Sequence, residues 1–395
     1  MDLPLNTRPN ERMNDLLQRT PDDWRRLGGL DTAEEIQHQP AIWRALADEL
    51  GAQRARIESF LGDWLADPGR RVILTGAGSS SYIGEIAADE LDSAWPAQVR
   101  AIASTSLLTH PALYLDAERP TLLVSFARSG NSPESLAAVE LVRRNVGDTR
   151  FLNITCNADG DLARQGEDRD DTLNLLMPDG SCDRGFAMTS SFSAMLLAVL
   201  AVLGRDAWDT RVQQIAQLAQ HAEIALQDWA PAVAALARQP FERIVYLGSG
   251  PLEALAKEAA LKVLELTSGR VLALANTCLG FRHGPKSVLD RQSLVVVFRS
   301  GATIAQPYDQ DLLDELRRDQ VAASVLAVGA DHGDQARPDF AAPPLPFSDA
   351  WLAPLWLLMA QQFALHKSAA LGLTPDNPFP DGTVNRVVQG VTIHS

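Results

Sequence analysis

Apolar positions in the first 65 residues recur near helical spacing, with Trp24, Leu27, Leu30, Ile36, Trp43, Leu46 and Leu50 separated by roughly whole turns. Residues 1–65 are therefore predicted to form an N-terminal helical arm. From residue 71 the pattern changes to short β-branched runs, each followed by a longer amphipathic stretch. RVILTGAG (71–78) precedes YIGEIAADEL (82–91), TLLVSFARSG (121–130) precedes PESLAAVELVRRN (133–145), and RFLNITCN (150–157) precedes DLARQG (161–166). Buried strands that alternate with helices specify a parallel sheet with crossover helices on its faces.

The same grammar restarts at residue 243. Arg71-Val-Ile-Leu-Thr-Gly76-Ala-Gly78 aligns with Arg243-Ile-Val-Tyr-Leu-Gly248-Ser-Gly250 at an offset of 172, and the register carries into the following helices, where Ala87-Ala88 matches Ala259-Ala260. This reads as an internal duplication. The expected fold is α/β, with two doubly wound parallel-sheet domains, flanking helices and the N-terminal arm. The first domain is expected over 66–215 and the second over 216–395, with a helical stretch near 205–238 joining them.

Composition narrows the function. The chain has 395 residues, of which 46% are apolar, enough for two cores. Its formal charge of −15 argues against nucleic acid, which is bound through clustered Lys and Arg that release counterions. A small anion held by local amides and hydroxyls stays compatible with that charge, because exposed charges are screened beyond about 8 Å in physiological salt. The three cysteines, Cys156, Cys182 and Cys278, show no metal-ligand spacing, so neither a metal nor a disulfide framework is expected. The longest apolar run, FSAMLLAVLAVLG (192–204), falls short of the ~20 residues that span a bilayer and is predicted to be a buried helix. The charged opening MDLPLNTRPNERMNDLL lacks the apolar stretch of a signal peptide, and the expectation is a soluble, cytoplasmic protein with no membrane partner.

The turns are rich in hydroxyls. Ser129-Gly130-Asn131-Ser132-Pro133 follows a buried strand and opens a helix, with Ser132 placed as N-cap and Pro133 at the first helical position. Free amides at such a terminus attract anions, and serine hydroxyls add donors suited to a phosphate monoester. Gly78-Ser79-Ser80-Ser81 is a second such turn, and Met188-Thr189-Ser190-Ser191 a third. A dinucleotide fingerprint would require glycine at position 81, which is serine, and at position 253, which is glutamate. No phosphate-binding G-x-x-x-x-G-K-[ST] loop occurs, so no nucleotide cofactor is expected.

The second half carries titratable groups instead. In Glu258-Ala-Ala-Leu-Lys262-Val-Leu-Glu265 the three charged residues share one face of an otherwise apolar helix. Such a stripe can be a surface ion-pair row. On a mostly buried helix it points instead to a carboxylate at a cleft, where desolvation lifts a pKa into the range of a general base. In Phe281-Arg282-His283-Gly284-Pro285-Lys286 the histidine sits on a rigid bend and is expected to be exposed and oriented. His38, His110, His221, His332, His366 and His394 suggest surface positions or helix packing and receive no role.

Together these motifs resemble the sugar isomerase (SIS) domain family, and within it the tagatose-6-phosphate ketose/aldose isomerase and galactosamine-6-phosphate deaminase group, related to the isomerase half of glucosamine-6-phosphate synthase. The resemblance rests on TAEEIQHQPAIW (32–43), SFARSGNSPES (125–135), EAALKVLEL (258–266), FRHGPKS (281–287), Pro375-Asp-Asn-Pro and Val384-Asn-Arg-Val-Val-Gln-Gly-Val391. It implies a phosphorylated amino sugar as substrate, held at its phosphate by Ser79, Ser80, Ser129 and Ser132 and along its length by Thr189 or Ser190. Glu265 would move a proton between C1 and C2, and His283, supplied by a neighbouring subunit of a homodimer or larger oligomer, would open the ring.

Two positions depart from the family. Ala127 replaces the first hydroxyl of the phosphate loop beside Arg128, whose guanidinium either holds part of the phosphate or points away. Gln389 stands where relatives carry a C-terminal lysine, leaving Lys262, Lys286 or Arg386 as substitutes. The expected activity is conversion of galactosamine 6-phosphate to tagatose 6-phosphate and ammonia. Plain aldose–ketose isomerisation, deglycation of an amine-linked sugar phosphate and a non-catalytic sugar-phosphate sensor are the alternatives.

Overall fold

A computed structural model of the chain describes residues 16–333, 337–388 and 390–394. Gln389 and residues 1–15 lie outside the described residues. The arm is helical where it is described, with helices Pro21–Leu27, Leu30–Gln37 and Gln39–Leu61. The first begins with a capping box, in which Thr20 accepts from the Asp23 amide while the Asp23 carboxylate accepts from the Thr20 amide. Trp24, Ile36, Trp43, Leu46 and Leu50 all face inward and are buried.

Two five-stranded parallel sheets follow. In the first, β1 (Arg71–Thr75), β2 (Gln98–Ala101), β3 (Thr121–Ala127), β4 (Thr149–Thr155) and β5 (Thr172–Leu176) stand in the order β2-β1-β3-β4-β5. In the second, β6 (Arg243–Gly248), β7 (Leu272–Asn276), β8 (Ser293–Phe298), β9 (Ser324–Ala330) and β10 (Phe340–Ala342) stand in the order β7-β6-β8-β9-β10. The two orders are the same doubly wound topology read from matching edges, as the duplication predicts. Even the turns agree: Gly78 (φ 57, ψ −130) and Gly250 (φ 58, ψ −129) adopt one left-handed conformation that side-chain-bearing residues rarely enter. At Gly76 and Gly248 an added Cβ would stand 2.6 Å from the Ser80 backbone and 2.3 Å from that of Leu252, so each helix packs back onto its own strand.

The helices that follow these turns, Ser79–Ala94 and Pro251–Leu266, pack against each other. Ser79 meets Lys262 and Glu85 meets Lys257, so the two helices run antiparallel. Glu85 and Lys257 are separated by the repeat offset of 172 and pair at 3.0 Å. Equivalent positions that touch each other lie beside the local two-fold axis relating the two halves. The tip of one half's helix is thereby carried to the opening turn of the other.

The expected boundary at 215/216 falls inside one continuous helix, Trp208–Ala237, which is the predicted connecting segment. The apolar run forms the helix Ser190–Leu203, buried at every position. Among the described residues no helix is long and apolar enough to cross a membrane.

Candidate functional site

In a sheet ordered β2-β1-β3-β4-β5 the chain reverses direction between β1 and β3, and ligands bind outside the carboxyl ends of those strands. The loop Gly78–Ser80 leaves β1 there, and the loop Arg128–Ser132 leaves β3 beside it. Two of the predicted serine turns are thus neighbours. Ser132 N-caps the helix Pro133–Asn145, accepting from the Ser135 amide, and its Oγ lies 2.7 Å from Ser135 Oγ. Ser129 Oγ accepts from the Asn131 amide at 3.3 Å. Ser80 Oγ makes only a long 3.9 Å contact with Met188 Sδ.

The acid-and-lysine stripe reaches this loop cluster from the other half. Lys262 Nζ donates to Ser79 Oγ at 2.9 Å and lies 2.7 Å from Glu265 Oε2 and 3.1 Å from Glu258 Oε1. Lys262 and Glu258 are wholly buried, whereas the Glu265 side chain is 22% exposed. Desolvation pushes the Glu258 carboxyl up to about 7, against the pull of the Lys262 charge. Burial works against the Lys262 charge, but the two carboxylates outweigh it and hold its pKa above the ordinary lysine value. The strong burial expected for the stripe therefore falls on Glu258, and Glu265 is the member that faces outward.

The third turn is organised by a residue that the sequence patterns did not single out. Asp183 is fully buried and accepts from the Thr189, Ser190 and Ser191 amides at 2.8–3.0 Å and from the three hydroxyls of the same residues. It caps the apolar helix Ser190–Leu203. The available signal was that helix's lack of an acidic first turn, with Asp183 a few residues upstream. His38 Nε2 lies 2.9 Å from Ser190 Oγ, so a histidine read as surface or packing touches a candidate sugar-lining residue. Burial holds the His38 pKa below the ordinary histidine value.

Arg128 is buried and its charge is spent on backbone. Nη1 donates to Phe186 O at 3.0 Å and Gly185 O at 3.4 Å, and Nη2 donates to Arg386 O at 3.0 Å. Arg386 in turn donates to Asp183 O and Arg184 O. The geometry makes Arg128 a clamp between the 183–186 loop and the C-terminal tail, where the sequence suggested a phosphate ligand. The tail is held further by Phe379 packing on Phe186 and by Ser268 Oγ donating to Pro378 O. Of the substitutes for the C-terminal lysine, Lys262 reaches the Ser79 turn and Arg386 the 183–186 loop. Lys286 pairs instead with Glu315 and Asp319.

His283 is exposed, as expected from its bend. It is not brought to Glu265 within the chain. The helix Pro251–Leu266 runs antiparallel to β6, so Glu265 lies at the amino edge of the second sheet; His283 follows β7, parallel to β6, and lies at the carboxyl edge. Among the described residues no group of three or more His, Cys, Asp or Glu side chains could hold a metal ion.

Residues 65–205 match the SIS domain family model. D-Galactosamine-6-phosphate deaminase of Escherichia coli is 45% identical over 370 residues, covering 93% of this chain and 96% of its own. The deaminase of the same name from Shewanella sp. is 42% identical over 372 residues, covering 93% and 92%. The crystal structure of tagatose-6-phosphate ketose/aldose isomerase from Escherichia coli superposes with a TM-score of 0.86 at 42% identity, covering 93% of this chain and 97% of that one.

Proposed function

This chain belongs to the sugar isomerase (SIS) domain family, and we propose that it converts galactosamine 6-phosphate and water to tagatose 6-phosphate and ammonia. The observation that carries the reading is Lys262, which lies at once on Ser79 of the phosphate loop and on Glu265 of the opposite half. One cation thereby fixes the distance from a bound phosphate to a carboxylate base. A base held in fixed relation to the phosphate loop is what proton transfer near the other end of a hexose 6-phosphate requires.

Ser79, Ser80, Ser129 and Ser132 hold the phosphate, assisted by the amides of the helix opening at Pro133. The hydroxyls of Thr189 and Ser190 donate to Asp183, so their lone pairs remain to accept from sugar hydroxyls. After ring opening, the Glu265 carboxylate removes the C2 proton while the aldehyde oxygen gains one, giving an enolamine. Glu265 returns the proton to C1 as the nitrogen releases one, leaving a C2 imine. Water adds to that imine and ammonia departs, leaving the ketose.

Ring opening by His283 requires a second copy of the chain, because His283 and Glu265 lie at opposite edges of the same sheet. The site is accordingly shared between subunits of a homo-oligomer. A phosphorylated substrate, which does not cross membranes unaided, suits a cytoplasmic enzyme.

The test is incubation with galactosamine 6-phosphate and with glucosamine 6-phosphate, measuring ammonia and ketose phosphate, with Glu265→Gln as the control. Ammonia from the galacto substrate, lost in the variant, supports the reading. Ketose phosphate formed from an aldose phosphate without ammonia would favour plain isomerisation. No product from any of these substrates, despite binding, would favour a sensor.

A further inference from the structure

The two halves share a topology, but their loop clusters are filled differently. In the second half, the positions equivalent to Ser79 and Ser80 are Pro251 and Leu252, which carry no hydroxyl. The position equivalent to Lys262, taken back by 172, is Glu90, so the cation behind the first cluster has an acid as its counterpart. The loop after β8, Ser300-Gly301, takes at the same offset the places of Arg128-Ser129 in the serine turn after β3. Its groups are not open.

Asp309 and Asp349 occupy them. Asp309, fully buried, accepts from the Ser300 amide at 2.9 Å and from Ser249 Oγ at 2.6 Å, bridging the loops after β6 and β8. Asp349 is 9% exposed and accepts from the Gly301 amide at 2.7 Å and from the Ser300 hydroxyl. In the first half the helix position matching Asp309 is Ala137, and the residue opening the helix after the fifth strand is Ser190, where the second half has Asp349. Each acid therefore stands where the first half keeps a small or hydroxylic residue. A carboxylate accepting two N–H or O–H donors presents to this loop what two oxygens of a phosphate would present.

We propose that the second half retains the anion cradle of the duplicated unit and that Asp309 and Asp349 fill it from within, so that each chain binds one phosphosugar, in the first half. Glu90, which accepts from Ser348 Oγ just before Asp349, adds a third negative charge that repels an incoming phosphate.

Calorimetric titration with inorganic phosphate tests this. The wild type is expected to fit one anion per chain. A variant with Asp309→Ala, Asp349→Ala and Glu90→Gln is expected to fit two, the freed Ser300 and Gly301 amides supplying the second site. Two anions per wild-type chain, or one in the folded variant, would overturn the proposal. Where the triple variant does not fold, Asp349→Ala with Glu90→Gln is melted in phosphate and in chloride of equal ionic strength. A larger phosphate-specific rise in Tm than for the wild type is expected, because a ligand that binds only the folded state stabilises it. Equal rises would overturn the proposal. Neither readout involves turnover, so its outcome is separate from that of the ammonia assay.

Discussion

Lys262 Nζ stands 2.9 Å from Ser79 Oγ across the seam between the two halves, 183 positions apart in the chain. The contact exists because helices Ser79–Ala94 and Pro251–Leu266 cross antiparallel about the local two-fold beside Glu85 and Lys257. The first half supplies hydroxyls at that point and the second a lysine and its carboxylate partners, so neither half brings these groups together alone.

Replacing Lys262 with Met removes the cation that pairs with both Glu258 and Glu265. Leaving a buried carboxylate unpaired is expected to destabilise the protein by about 3 kcal/mol. Loss of the positioning contact is expected to lower ammonia release by roughly 100-fold. Urea unfolding and the ammonia assay check the two effects; near-normal turnover would remove Lys262 from the mechanism.

Mixing two inactive proteins tests whether the site is shared. Glu265→Gln and His283→Ala proteins, co-refolded in equal amounts, are expected to regain up to about a quarter of wild-type activity if the unit is a dimer. Random assembly makes half the dimers mixed, and each mixed dimer has one intact site of two. Persistent inactivity of the mixture would place both residues in the same chain's site.

Arg128→Met separates a clamp from a phosphate ligand. Three carbonyls, those of Gly185, Phe186 and Arg386, lose their donor, at a cost of about 1–3 kcal/mol for each that stays unsatisfied. The tail is expected to loosen, so that trypsin cuts at Arg386 faster and KM rises with it. A raised KM with the tail still protected would mean that Arg128 contacts the phosphate directly.

Glu35 gives a pH dependence. Burial, with the Asp183 charge adding to it, raises its carboxyl from the ordinary 4.5 to about 8, against the pull of the Arg184 and Gly185 amides. The folded state therefore holds this proton more tightly than the unfolded chain does. Its contribution to stability is full below about pH 4.5 and is lost as pH rises through about 8. Glu35→Gln is expected to flatten the fall in stability between pH 5 and 8 measured by urea unfolding. An unchanged slope would show that Glu35 does not carry it.

Much of this was legible in order along the chain. Strand-to-helix alternation and the offset of 172 gave both halves, because main-chain hydrogen bonding and apolar burial impose local periods. Ser132 as a cap and His283 on its bend were legible for the same reason, since turn chemistry is local. Asp183 was harder to see: its role is visible only when three amides and three hydroxyls converge on it. Asp376, which accepts from the Asp31 and Thr32 amides, is separated from them by more than 340 positions, and no spacing rule reaches that far.

By itself, then, the sequence determined the duplicated α/β topology, the hydroxyl-rich turns and the residue types available for proton transfer, because these follow from periodicity and turn propensity. Only the tertiary structure decided which of those groups meet. Glu258 is the buried acid and Glu265 the outward one because of how the helix Pro251–Leu266 rolls against its partner. Arg128 was drawn to the carbonyls at the 183–186 loop because an enclosed guanidinium must satisfy its donors with whatever acceptors the packing presents. The second half's loops hold Asp309 and Asp349 for the same reason, since buried amides take the nearest anion the fold supplies.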